Sequence, residues 1–331
     1  MEISNSNNIN NEINLIYYRL EDEKYAQYVQ YANRIFGSTF VENNKHNITL
    51  KINGKENELV ADYDLKKGIN VIQMIIKDKL TNLAHMFSYC LSLADIGELK
   101  YLNTEEVNDF SAMFFTCLML SDISSLQNWN VSNGKSFGQM FANCRALKSL
   151  NGLQNWNVSN ATFFRDMFFA CTSLSDIKAL ENWNVSNATF FLGMFNKCWS
   201  LSSLNGLQNW NVSKVYHFRD MFNECSSLSD INALQNWNVS NGKNFNGIFY
   251  NCSSLSDVKA LKNWDVSNGV VFAFMFSGCK SLSDIDALQN WNVSNGKSFD
   301  HMFEQCPILS GKIVLQKWTF SYKIDLNSLF D

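Results

Sequence analysis

The chain has 331 residues, enough to bury a substantial core, and its 46% apolar and 18% charged residues are typical of a globular protein rather than a disordered one. The net charge of −4 does not suggest general nucleic-acid binding, and no apolar run approaches the roughly 18 residues of a membrane-spanning helix. The polar first stretch, MEISNSNNINNEIN, lacks the basic start and the apolar core of a signal peptide.

The N-terminal part has no repeating pattern. Residues 1–14 are predicted to be a disordered, Asn-rich tail, and residues 15–82 an N-terminal α+β cap that shields the first repeat. Within the cap, EDEKYAQYVQYANRIFG at 21–37 predicts a helix. NITLKINGKENELV predicts a hairpin that turns at Asn53-Gly54, and INVIQMIIKDKL at 69–80 predicts a more buried strand. An independent binding module is the alternative interpretation of this region.

A period of 27 residues then governs the chain from about residue 83 to 320. The tryptophans at this spacing are Trp129, Trp156, Trp183, Trp210, Trp237, Trp264, Trp291 and Trp318. All nine cysteines follow the same spacing, at Cys90, Cys117, Cys144, Cys171, Cys198, Cys225, Cys252, Cys279 and Cys306. A fixed period in this range indicates stacked supersecondary units that share one core.

Each unit combines two apolar patterns. FxxMFxxC at 137–144 predicts one face of a helix of two or three turns, with Ser132 or Asn133 in front of it as the cap. LxxLxxLxxW at 147–156 predicts a short strand and an irregular turn. Because packed helices lie about 8–10 Å apart and strands about 5 Å apart, the two sides of the stack should differ in length. The sequence therefore predicts a curved solenoid.

The repeated string resembles the BspA-like leucine-rich-repeat family, as in MFNECSSLSDINALQNWNVSN at 221–241. The resemblance covers nearly three quarters of the chain, and it implies an α/β repeat fold: a curved leucine-rich-repeat solenoid of 27-residue coils, each a short helix plus a short strand. It also implies adhesion or protein binding, often on a microbial surface, and brings no catalytic residues. The repeats are assigned to residues 83–306. The tail from Gly311 loses the pattern, and residues 307–331 are predicted to be a C-terminal cap.

The regular columns of cysteine and asparagine have structural interpretations. Lone cysteines one coil apart do not form the clusters that zinc needs, so they predict a ladder of buried, reduced thiols and no metal site. The Asn-x-Ser sites could carry glycans, but sugars one coil apart would be too crowded. Asparagine bonding in corners and in an asparagine ladder is the interpretation adopted for Asn130, Asn157, Asn184, Asn211, Asn238 and Asn292.

A third column is acidic. It is interpreted as a solvated edge, with cation binding or docking of a basic partner as alternatives, and it contains Asp122, Asp176, Asp230, Asp257 and Asp284.

Information about partners is expected where the coils differ. Apolar side chains that replace polar equivalents are the candidate partner-binding residues: Phe163, Phe190, Phe169, Leu192, Trp199, Tyr250 and Phe274. The alternative is that these side chains pack on neighbouring coils and complete the core.

The function predicted from the sequence is a non-enzymatic leucine-rich-repeat scaffold that binds another protein. The histidines have no partner at catalytic spacing, and no phosphate-binding loop is evident, so neither catalysis nor a cofactor is predicted. Free thiols and the missing signal peptide favour an intracellular adaptor in the cytoplasm. The alternatives are a cell-surface adhesin or antigen exported by an unconventional route, and a self-assembling structural solenoid.

Overall fold

The structure is a computed structural model, and it describes residues 11–20, 22–310, 312–321 and 324–330. Most of the predicted disordered tail, 1–10, lies outside the described residues. The prediction is wrong for its last part, because residues 12–14 begin the first strand.

An antiparallel five-stranded sheet precedes and joins the repeats. Its strands are β1 (Glu12–Arg19), β2 (Ile48–Ile52), β3 (Lys55–Glu58), β4 (Gly68–Ile76) and β5 (Leu93–Asp95). Their order in the sheet is β3-β2-β4-β1-β5. Because β5 lies in the first coil and pairs with β1, the sheet is continuous with the stack.

The hairpin predicted at Asn53-Gly54 is confirmed. Both residues have positive φ angles, 51° and 78°, and this geometry is the one that a two-residue hairpin turn favours. The strand predicted at 69–80 is also confirmed, as β4, although Ile69 at its start is 71% exposed. Only one face of β4 is therefore buried.

Helices are short throughout the described residues. The one α-helix in this part of the chain is α1 (Ser38–Asn44), which buries Phe40. The helix predicted at 21–37 is largely a 3-10 helix, Asp22–Tyr31. Further 3-10 helices are Gly97–Tyr101, Ser124–Asn128, Lys178–Leu180, Asn232–Leu234, Lys259–Leu261, Asp286–Leu288, Lys312–Lys317 and Leu326–Leu329. Among the described residues, no helix is both long and apolar enough to cross a membrane.

The short helix predicted in each repeat is wrong. Residues 137–144 form a run of turns, and no α-helix occurs anywhere in 83–306, a range that is fully described. Gln139 and Asn143 have φ angles of 57° and 63°, and left-handed residues cannot continue a right-handed helix. The other coils repeat this pair of left-handed positions: His85, Tyr89, Ala112, Thr116, Asp166, Ala170, Gly193, Lys197, Asp220, Glu224, Gly247, Asn251, Phe274, Gly278, His301 and Gln305.

The backbone of this segment connects one coil to the next. Alternate N–H groups have different acceptors: Gln139 donates to the carbonyl of Arg165 in the next coil at 2.8 Å, whereas Met140 donates to Phe137 at 3.2 Å. We call residues 135–146 and their equivalents at multiples of 27 the turn wall. The inter-coil bonds of the turn wall replace the helix packing predicted from the sequence.

The spacing of the coils is therefore not wider on the turn wall. Buried phenylalanine rings in the column of Phe141 lie 5.4–5.9 Å apart, while the tryptophan rings in the column of Trp156 lie 6.2–6.5 Å apart. The sequence predicts a curved stack because helices on one side of it would pack farther apart than strands on the other. The two sides do not differ in this way, so this reason for curvature does not hold.

Residues 147–160 and their equivalents form the opposite side, which we call the Leu–Trp side. The strand predicted here forms in the first coil as β5, and later coils have at most single bridges, such as Ser149 with Asp176. Short 3-10 helices follow in several coils.

The column of Phe141 continues beyond the repeats at both ends. Phe36, from the N-terminal region, lies 5.5 Å from Phe87, and Phe330 lies 5.7 Å from Phe303. The last coil also donates two backbone hydrogen bonds to the C-terminal segment, from His301 to the Ser328 carbonyl and from Phe303 to the Leu329 carbonyl. Non-repeat segments thus occupy both ends of the stack.

Candidate functional site

The repeated side chains in the interior hold the coils together. Each in-register tryptophan stacks on the next and donates its indole N–H to a leucine carbonyl of the preceding coil, as Trp156 does to Leu126 at 2.9 Å. The indole bond satisfies a buried carbonyl that would otherwise lack a partner. These eight tryptophans are therefore structural and unavailable to a ligand.

The cysteines form the predicted ladder of reduced thiols, of which eight are buried and Cys306 is half-buried. Cys171 donates to the carbonyl of Phe141 at 3.1 Å, and most other coils repeat this bond. Burial raises the pKa of Cys171 and Cys225 from the ordinary value of 9.0 to about 12. Thiols held neutral in this way are poor nucleophiles and poor metal ligands. Within the described part of the chain, no three His, Cys, Asp or Glu side chains lie close enough to share a metal ion.

The asparagines have two roles, and the ladder lies in a different column from the one predicted. Asn157 Oδ1 accepts from the Ser159 backbone N–H at 3.2 Å and so closes the corner locally. Asp265 makes the equivalent bond to Ser267 at 3.0 Å, because only an acceptor oxygen is needed. Asn160 instead donates from Nδ2 to a carbonyl of the preceding coil at 2.8 Å.

The inter-coil asparagine ladder is thus formed by the last asparagine of each NVSN corner. The sequence predicts helix capping for that column, represented by Asn133, and this prediction is wrong because no helix follows it. Its members are Asn133, Asn160, Asn187, Asn241, Asn268 and Asn295.

The acidic column also closes turns. In each case one carboxylate oxygen accepts from the backbone N–H two residues later, as Asp176 does from Lys178 at 2.9 Å. The same bond is made by Asp122, Asp230, Asp257 and Asp284. Asp122 and Asp176 are exposed and the other three are half-buried. These carboxylates therefore stabilise the starts of the following turns.

The seven candidate partner-binding residues all lie on the turn wall but do not form one cluster. At one edge, Phe163 and Phe190 have ring centroids 5.4 Å apart, and Phe190 also meets Tyr216 at 4.8 Å. Phe163 and Tyr216 are each 37% exposed. His217 completes this group; burial is the main cause of its lowered pKa, and its Nδ1 is buried without a partner among the described residues.

A second group lies farther along the chain. Tyr250 and Phe274 are half-buried and meet edge to face at 6.2 Å, and Phe274 stacks on His301 at 4.9 Å. Leu192 is half-buried, and its carbonyl accepts from the Asp166 N–H at 2.8 Å. Tyr250 and Phe274 pack on neighbouring coils, as the alternative interpretation expects.

Phe169 and Trp199 line a third feature, which we call the aromatic groove. This surface depression has a volume of about 540 Å³, and its lining is Tyr28, Tyr89, Phe115, Thr116, Asn143, Arg145, Phe169, Ala170, Thr172, Lys197 and Trp199. Trp199 is 49% exposed, in contrast to the tryptophans of the interior. The groove thus spans five successive coils, and four of them together with the N-terminal region contribute its five aromatic side chains.

Polar contacts fix the shape of the aromatic groove. Asn143 Nδ2 donates to Tyr28 Oη at 3.2 Å and to Thr116 Oγ1 at 3.1 Å, and Asn143 Oδ1 accepts from Arg145 Nε at 2.8 Å. Tyr89 stacks on Tyr31 at 4.3 Å. Burial, followed by the neighbouring tyrosines, raises the pKa of Tyr89.

Sequence reasoning missed most of this groove. Tyr28 lies outside the repeats, so no periodic pattern connects it with Arg145 or Lys197. Tyr89 and Phe115 lie in the first two coils. The equivalent positions of later coils hold polar or small residues, such as Asn143 and Ala142. That difference was available in the sequence and could have extended the list of candidates.

The chain is a solenoid repeat protein, because its coils have one length and are joined by backbone bonds and by columns of identical side chains. The chain belongs to the family described as Mycoplasma protein of unknown function, DUF285, whose model matches residues 63–177, 166–263 and 230–331. A comparison with curated proteins finds no significant match.

Two solved structures are similar to this chain. One is a leucine-rich repeat protein from Bacteroides ovatus ATCC 8483, with 15% identity, a TM-score of 0.24, and coverage of 80% of this chain and 86% of that one. The other is a leucine rich cell surface protein from Faecalibacterium prausnitzii A2-165, with 14% identity, a TM-score of 0.23, and coverage of 78% and 86%. The cytoplasmic location predicted from the sequence is contradicted by this finding and is not retained.

Proposed function

We propose that the protein is a non-enzymatic repeat scaffold that binds a partner protein through its turn wall. The observation that carries the proposal is the side chain of Trp199, which is 49% exposed, whereas the tryptophans at the regular spacing are at most 5% exposed. Tryptophan is among the residues that contribute most to binding at protein interfaces. The other aromatic side chains of the groove extend the apolar surface around it.

The segments outside the repeats fit a protective role in this proposal. We assign 15–82 as an N-terminal cap and 307–331 as a C-terminal cap, with the repeats at 83–306 between them. Phe36 and Phe330 support the assignment, because each adds one ring to the end of a buried column. Covered ends go against a self-assembling solenoid that grows end to end.

More specifically, we propose that the protein is a cell-surface adhesin or antigen. The resemblance of the repeated motif to the BspA-like family supports it. The test is brief protease treatment of intact cells, followed by detection with an antibody to the turn wall. Loss of the signal before a cytoplasmic marker is digested is expected, and full protection would contradict the surface location.

Binding can be tested with one variant and one matched control. Wild-type protein, Trp199→Ser and Tyr101→Ser are compared on an array of purified extracellular proteins; Tyr101 is 48% exposed and lies outside the turn wall. Trp199→Ser should lose most binding and keep the thermal stability of the wild type, whereas Tyr101→Ser should keep both. Equal binding by all three proteins would argue against the turn wall as the site, and binding by none would argue against an extracellular protein partner.

A further inference from the structure

The described lining of the aromatic groove carries positive charge, although the chain as a whole has a net charge of −4. This described lining contains two cations, Arg145 and Lys197, and no Asp or Glu. A Lys197–Glu224 ion pair of 3.6 Å partly offsets one of these charges from outside the lining. Charge complementarity therefore favours an anionic ligand for this groove.

Both cations lie against aromatic rings that form the groove. Arg145 Cζ is 6.0 Å from the centre of the Tyr28 ring, and Lys197 Nζ is 5.9 Å from that of Phe169. Each cation is therefore positioned beside an apolar surface. Among the described side chains, Arg145 donates a hydrogen bond only to Asn143, through Nε, and an arginine has further N–H groups for a carboxylate.

The groove follows one column across five successive coils, at Tyr89, Thr116, Asn143, Ala170 and Lys197. At about 5 Å per coil, this column is roughly 20 Å long, which is the length of about six residues of extended peptide. The dimensions therefore fit a short extended segment rather than a folded surface.

The carboxamide of Asn143 is not available to the hydroxyl groups of a glycan. The amide of Asn143 already bonds Tyr28, Thr116 and Arg145, so both of its polar atoms are occupied. The remaining lining is dominated by rings that need apolar contacts. A peptide that alternates carboxylates with apolar side chains matches this combination better than a glycan does.

We infer that the aromatic groove binds an extended acidic segment of a partner protein, with apolar side chains on the rings and carboxylates at Arg145 and Lys197. This inference rests on the proposed function and names the chemistry of the partner. Trp199 closes the end of the groove and packs against one of the apolar side chains.

The test uses purified full-length protein and fluorescent peptides of about eight residues. The acidic probe alternates Glu or Asp with Phe or Leu. A neutral probe has Gln and Asn in place of the acids, and a basic probe has Lys and Arg. Fluorescence anisotropy should show that the acidic probe binds at least about tenfold more tightly than the neutral one, with the difference decreasing as salt is added.

Single variants locate the binding site. Arg145→Gln and Lys197→Gln should each weaken binding of the acidic probe by about three- to tenfold, and Trp199→Ser by about tenfold or more. The matched control is Lys262→Gln, which removes the same charge from an exposed position on the Leu–Trp side and should leave the affinity unchanged. Circular dichroism checks that each variant is folded.

Three outcomes would overturn the inference: equal binding of the acidic and neutral probes, equal loss in Lys262→Gln, or tight binding of a sulfated oligosaccharide in place of the acidic peptide. Each can occur while the protein still binds array proteins through Trp199, so the proposed function can survive this failure. Conversely, the protein could bind the acidic peptide but no protein of the extracellular array. That result would contradict the proposed extracellular partner but would leave the inferred peptide site in the groove intact.

Discussion

The two sides of each coil stack on their neighbours by different means. On the turn wall, backbone groups make the connection, as in the bond from Gln139 to Arg165, so stacking does not depend on which side chains point outward. On the Leu–Trp side, a few backbone bonds, such as that from Ser175 to Lys148, are supplemented by side chains, through the indole of Trp156 and the amide of Asn160. Outward positions can therefore change on the turn wall without loss of the stack, and a binding surface can develop there.

The largest expected effect comes from the thiols at the end of the turn wall. Because burial raises the pKa of Cys171 and Cys225 from 9.0 to about 12, these thiols stay neutral in the folded protein while they ionise in the unfolded chain. Their contribution is complete below about pH 9 and is lost as the pH rises towards 12. Urea unfolding at increasing pH should show a steep loss of stability in this window.

The control for this prediction is the double variant Cys171→Ser with Cys225→Ser. Serine can still donate a hydrogen bond but does not ionise in this range. A shallower loss of stability with pH is expected, and an identical slope would show that other groups are responsible.

A tryptophan buried on the Leu–Trp side should matter more for stability than the exposed Trp199 of the turn wall. Trp183→Ala removes a buried ring and leaves the Leu153 carbonyl without its donor, so a loss of about 3–5 kcal/mol in the free energy of unfolding is expected. Trp199→Ala, the same change on the turn wall, should cost much less because the ring is half exposed. Chemical denaturation of both variants checks the difference, and equal losses would contradict the comparison.

A smaller effect separates the two asparagines of one corner. Asn160→Asp removes the donor to the preceding coil and should cost about 1 kcal/mol. Asn157→Asp keeps the acceptor that closes the corner and should be nearly neutral, as the natural Asp265 suggests. Thermal unfolding of the two variants gives the measurement. A larger loss from Asn157→Asp would reverse the assignment of the two columns.

The smallest effect is a gain on the turn wall. Gln139 is exposed and left-handed, and glycine adopts this conformation without the steric cost of a Cβ atom. Gln139→Gly should therefore stabilise the protein by about 0.5–1 kcal/mol. The comparison variant Gln139→Ala retains the Cβ atom, so it should show no such gain in the melting temperature.

The sequence predicted the period, the stacked columns of cysteine and tryptophan, and the hairpin at Asn53-Gly54, because each depends on spacing or on local turn chemistry. It failed at 137–144, since FxxMFxxC has the spacing of a helix whether the backbone is helical or a run of turns. Residues such as Gln139 and Asn143 are not glycine and give little warning of a positive φ angle.

The site was predicted only in part for a different reason. Phe169 and Trp199 could be recognised as departures from their columns, but the partners that complete the groove come from another region. The contact of Asn143 with Tyr28 joins residues 115 positions apart, outside the period, and no spacing rule connects them. Phe163 lies in the same coil as Phe169, and the helix predicted at this place did not show that the two side chains belong to different surface features.

The ring column that begins at Phe36 and ends at Phe330 makes the coils interchangeable. A duplicated block of 27 residues in the C-terminal half would find the same neighbours above and below it, and a deleted block would leave matching surfaces to rejoin. Gene-level duplication or loss can thus change the reach of the molecule stepwise, while the groove beside Tyr28 stays intact. The number of coils acts as an adjustable spacer between that groove and the C-terminal end.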